Sequence, residues 1–71
     1  METVTITTEF IKLQDLLKFA SLVSTGGEAK LAVGGGKVTV NGEPCAQRGK
    51  KIRPGDVVVF NGCELTVAYA H

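Results

Sequence analysis

Tryptophan is absent from this chain, and its only aromatic side chains are one tyrosine and three phenylalanines. The aromatics stand singly at apolar positions, which argues against a sheet surface that stacks unpaired bases. The core must therefore be built mainly of Val, Leu, Ile and Ala, with Phe10, Phe19 and Phe60 as its largest members. Histidine occurs once, as His71, and cysteine twice, as Cys45 and Cys63. Structural zinc usually takes four protein ligands, so no metal is expected. In a cytosolic setting the two thiols read as buried or idle rather than bridged. No serine or cysteine has a recognisable partner base, and the carboxylates are scattered. The reading is that the protein is not an enzyme and carries no cofactor. No stretch approaches the ~20 apolar residues of a membrane helix. Near Met1 there is no basic start followed by a long apolar run, so no signal peptide is read. A soluble cytoplasmic protein without a membrane partner is the expectation.

At 71 residues the chain suits one small domain, 1–71. Thr3 to Thr7 is β-branched and alternating, which predicts a short strand. The period then changes. Leu13, Leu16, Leu17 and Ala20 fall at i, i+3, i+4 and i+7 and predict one buried face of a helix. Lys12, Asp15 and Lys18 fall off that stripe. Thr25 and Glu28 have capping-box spacing: the threonine hydroxyl accepts from the Glu28 N–H while the carboxylate reaches back to the Thr25 N–H. A second helix should start there, with Ala29, Ala32 and Val33 inward, and end at Gly34-Gly35-Gly36. Lys37 to Val40 alternates as a strand. Asn41-Gly42 and Asn61-Gly62 are hairpin signals, because both central residues of a type I′ turn need positive φ. Pro44 confines its strand to an edge. Val57 to Phe60 is apolar enough to be a central strand, and Cys63 to Ala68 follows it. The fold class is α+β: two short helices on a small, mostly antiparallel sheet.

Charge is the informative feature. Formal net charge is only +1, yet four of the eight cationic residues, Arg48, Lys50, Lys51 and Arg53, lie within six positions that contain no acid. Charge runs often serve only solubility. Arginine, however, grips phosphate bidentately, and lysine adds a point charge. A polyanion responds to such a local field more than to net charge. Arg53 stands beside Pro54-Gly55-Asp56, a turn signal, and has Asp56 as an alternative partner. Gly26 and Gly27 at the start of the second helix offer backbone N–H groups to a phosphate, with Lys30 alongside. The competing reading is ordinary capping, since Glu28 already meets part of that demand and repels phosphate. No Gly-Lys-Ser/Thr follows, so this is not a nucleotide-binding loop. Lys12, Lys18 and Lys30 lie on or near the outer faces of the helices and Lys37 lies on a strand. Each extends the basic surface if the helices pack antiparallel.

These residues also carry a family likeness over about residues 9–60. Lys12-Leu13-Gln14-Asp15 with Lys18 opens a helix, and Glu28-Ala29-Lys30 lies in a second. Val38-x-Val40-Asn41-Gly42-Glu43, a basic stretch, and Gly55-Asp56-x-Val58 follow in order. This combination resembles the S-four-type RNA-binding domain. Thr25 to Lys30 together with Arg48 to Lys51 is similar to its small stand-alone YaaA/YbcJ-like group. The resemblance implies a helix pair with a loop-strand unit that docks on structured RNA, often ribosomal. Lys12 and Lys30 fall on basic positions of the family. Two positions depart from it: Gly26 and Leu31 stand where many members carry a basic residue, so binding must lean on other cations.

Two further functions compete with phosphate-backbone recognition. Val40 to Glu43 followed by Pro54 to Val58 is also similar to β-grasp sulfur carriers or interaction modules. Those carriers need a C-terminal Gly-Gly, and this chain ends Ala68-Tyr69-Ala70-His71. A protein adaptor for a ribosome-assembly factor or another protein of RNA metabolism is the third reading.

Overall fold

The computed structural model describes residues 2–70. Its elements are β1 (Glu2–Ile6), β2 (Ile11–Lys12), α1 (Leu13–Phe19), α2 (Gly26–Gly34), β3 (Val38–Val40), β4 (Glu43–Pro44), β5 (Lys51–Ile52), β6 (Val57–Phe60) and β7 (Cys63–Tyr69). Five strands form one sheet in the order β1-β7-β6-β3-β4, while β2 and β5 make a separate two-stranded ribbon. The β1–β7 pair is parallel and the other pairs are antiparallel. The architecture is thus the α+β arrangement expected from the sequence, with β6 in the middle and the Pro44 strand at an edge. His71 lies outside the described residues.

The core forms where the helical stripe meets one sheet face. In α1, Leu13, Leu16 and Leu17 are fully buried, and in α2 Ala29, Ala32 and Val33 are buried. Register places Val40 opposite Val58, Val58 opposite Leu65, and Val4 opposite Val67. Directly paired residues share a face, and all of these are buried. The phenylalanines are not the centre of this core. Phe19 is 67% exposed; it is the last residue of α1 and lies roughly 110° around the helix from the middle of the Leu13, Leu16 and Leu17 stripe. Phe10 and Phe60 are half-buried. Ala20 is half-buried at the C-cap of α1 rather than within it.

Local chemistry fixes the element ends. Thr25 is the N-cap of α2 and its hydroxyl accepts from the Glu28 N–H at 3.1 Å. The Glu28 carboxylate accepts from the Ser24 N–H at 3.0 Å, one residue beyond the expected Thr25 N–H. At the other end the Gly36 N–H donates to the Val33 carbonyl and the Lys37 N–H to the Ala32 carbonyl. With Gly36 at φ +72°, this is a Schellman closure. Both Asn-Gly turns have positive φ at each residue, as a type I′ hairpin requires.

The β2–β5 ribbon bears on function because it joins the start of α1 to the basic segment. Ile11 pairs with Ile52, and Lys12 with Lys51. Ile52 is fully buried while both lysines are exposed, so one ribbon face anchors in the core and the other meets solvent. Ile52→Ala should cost about 2–5 kcal/mol, read as a lower urea midpoint at constant m value. A loss under about 1 kcal/mol would show that the ribbon is not anchored by this side chain.

Candidate nucleic-acid interface

The basic segment is not a free loop. The Cys45 N–H donates to the Val38 carbonyl at 3.0 Å, and its side chain is buried. A turn follows, closed by the Lys50 N–H donating to the Gln47 carbonyl at 3.2 Å. The chain then crosses the start of α1. There the Leu13 N–H donates to the Lys50 carbonyl at 2.9 Å and the Gln14 N–H to the Arg48 carbonyl at 3.0 Å. The first N–H groups of a helix have no partner within it, so the segment supplies the cap that side chains usually provide. Lys12, the N-cap residue, gives no side-chain cap. Immediately afterwards Lys51 and Ile52 pair with β2.

The segment is equally fixed downstream. Asp56 accepts from the Arg53 N–H at 2.9 Å, and the Asp56 N–H donates back to the Arg53 carbonyl at 3.0 Å. Pro54-Gly55 occupies the turn between them, with Gly55 at φ +96°, as a type II turn requires at its third residue. Asn41 locks this turn to the first hairpin. Its amide nitrogen donates to the other Asp56 oxygen at 3.1 Å, and its side-chain oxygen accepts from the Val57 N–H at 2.9 Å. Asp56 is therefore a backbone hydrogen-bonder, as the turn signal suggested. It engages Arg53 through the main chain, and no ion pair forms with the guanidinium among the described residues.

Electrostatics separates the candidate cations into groups. Arg48, Lys50, Lys51, Arg53 and Lys12 are all exposed. Backbone bonds tie Arg48 and Lys50 to the first turn of α1, and register ties Lys51 to Lys12. None of these five has a carboxylate at ion-pairing distance among the described residues. The Lys51 ammonium lies 5.0 Å from the centre of the Phe10 ring, a cation–π contact. Lys18 is different: its ammonium is 3.7 Å from an Asp15 oxygen one turn back. Lys37 is the last residue of the Schellman closure of α2, where a cation complements the negative helix end. It lines a shallow depression with Leu22, Leu31 and Phe60, whereas Lys50 lines another with Glu43, Pro44 and Gln47. Lys30 is exposed on α2. At Gly26 the space around the backbone is open and at Gly27 only the Thr25 hydroxyl is near, but the Glu28 carboxylate already occupies this helix start.

Sequence reasoning found the cations and missed what holds them. The carbonyl caps involve no side chain. The Lys12–Lys51 pairing rests on two dipeptides, Ile-Lys and Lys-Ile, each too short to display a strand period. The amides of Leu13 and Gln14 should be protected from hydrogen exchange like the interior of α1. Exchange at free-amide rates would show that the basic segment is not docked on the helix.

Among known proteins, the chain is 42% identical over 59 residues to the probable ribosome maturation protein RlbA of Bacillus subtilis (strain 168), covering 83% of each chain. The solution structure of YbcJ from E. coli, described as having an alfaL motif involved in RNA-binding, superposes with a TM-score of 0.74 at 32% identity. That match covers 96% of this chain and 87% of YbcJ. A profile of the S4 domain matches residues 4–68. The chain belongs to the S4 domain family.

Proposed function

We propose that this protein is a non-catalytic, single-domain cytoplasmic module that binds structured RNA through its phosphate backbone and acts in ribosome maturation. The observation that carries this reading is the basic segment, fixed by its main chain and without ion pairs among the described residues. Arg48, Lys50 and Lys51, with Lys12 beside them, are held by main-chain bonds and lack carboxylate partners among the described residues. Such cations keep their field for an external anion, and their backbone loses little freedom when one binds. Arg53 extends the segment. Lys30, Lys18 and Lys37 are peripheral contacts, with Lys18 weakened by Asp15. Gly26 and Gly27 offer a minor backbone contact beside Glu28. The motif involved in RNA-binding that is described for YbcJ, and the naming of RlbA as a probable ribosome maturation protein, support the same reading.

Folded RNA fits better than a single strand. Double-stranded RNA is read largely by shape and phosphates, and the exposed basic segment is built of cations rather than stacked rings. A protein partner is the second reading, favoured by Phe19 and Leu31, 67% and 76% exposed on the helix pair.

Retention of ribosomal RNA fragments across a salt series tests the proposal. With about 4–6 phosphates engaged, the log–log slope of affinity against salt should be roughly −3 to −5. The triple variant Arg48→Glu, Lys50→Glu, Lys51→Glu should keep its thermal transition and lose at least tenfold in affinity. A folded triple variant that binds as before would overturn the assignment to this segment. Capture of partners that survives nuclease treatment would favour the protein-partner reading.

A further inference from the structure

The β2–β5 ribbon presents an unusual pair. Lys12 and Lys51 are direct register partners on adjacent antiparallel strands. Residues so placed have Cβ atoms about 5 Å apart on the same face, and like charges there are destabilising. Opposite-charge pairs are the stabilising choice at such a position. Here both members are lysine, both are exposed, and neither has a carboxylate at ion-pairing distance among the described residues. The inward partners Ile11 and Ile52 fix the register, with Ile52 fully buried. A one-residue slip would expose the isoleucine and bury a lysine. The two ammonium groups are therefore held on one face by the core rather than by attraction between them.

Resting on the RNA-binding reading above, we infer that Lys12 and Lys51 close on a single RNA phosphate, one from each strand of the ribbon. A backbone phosphodiester has two non-bridging oxygens, one for each ammonium group, and its single negative charge between them offsets their repulsion. The Phe10 ring, 5.0 Å from the Lys51 nitrogen, restrains one arm of the clamp before the anion arrives. The neighbouring Arg48 and Lys50 act on other phosphates. Their carbonyls point into the start of α1, so the anion is met by side chains and not by that helix's first N–H groups.

Counting released counterions tests the clamp, because the salt slope changes by about 0.9 for each duplex phosphate no longer neutralised. The variants Lys12→Gln, Lys51→Gln and the double variant are titrated with a ribosomal RNA fragment over a salt series, with thermal melts confirming folding. For a shared phosphate, each single variant flattens the slope by less than one phosphate's worth, because the other lysine stays in contact. The double variant flattens it by about 0.9. A double-variant change of about 1.8 would mean two separate phosphates and would overturn the clamp. An unchanged slope in the double variant would also overturn it, leaving RNA binding to the remaining cations. A wild-type protein with no salt-dependent RNA binding would instead remove the underlying reading, and the clamp with it.

Discussion

Two main-chain hydrogen bonds, from Leu13 and Gln14 to the carbonyls of Lys50 and Arg48, join the first helix to the basic segment. An uncapped helix start leaves donors facing solvent or a ligand. Here those donors are used internally, which orients the segment and turns its side chains toward solvent. The segment is far from α1 in sequence, and the bond pair brings it to Lys12. The β2–β5 ribbon continues from the same junction for two register pairs, Lys12–Lys51 and then Ile11–Ile52, with Ile52 anchoring it from below.

This junction makes the neighbouring motif residues intelligible as scaffold. Asn41 turns the first hairpin and also ties it to Asp56. Asp56 closes the turn that follows Arg53. These are residues through which the family likeness is recognised, yet they face the protein's own backbone. Among the described residues the cations beside them form no ion pair, while Lys18, outside the junction, has a carboxylate within reach. Polar groups that hold the fold and charged groups that face outward are thus interleaved along one short stretch of chain.

The sequence made most of the fold legible. The leucine stripe of α1, the Thr25 cap, the glycine stop after α2, both Asn-Gly turns, and the central position of β6 follow from period and turn chemistry. Aromatic size misled: Phe19 is large and apolar, but its position on the helix sends it to solvent. The carboxylate of Glu28 found a backbone donor one residue away from the one that spacing suggested. For the candidate site, the sequence displayed Arg48, Lys50 and Lys51 as a run, and only the family likeness set Lys12 above Lys18. Lys12 precedes α1 and Lys18 lies in its last turn, both off the buried stripe. Register with Lys51 distinguishes the first, and an ion pair with Asp15 the second.

By itself, then, the sequence determined the elements and the places where charge is dense, because period, capping and turn preferences act over only a few residues. Tertiary structure decided which charges become neighbours. Lys12 meets Lys51, and the basic carbonyls meet α1, through backbone bonds between segments more than thirty positions apart. Such bonds depend on where the core places each segment, and a main-chain carbonyl carries no residue-specific signal by which they could be read in advance.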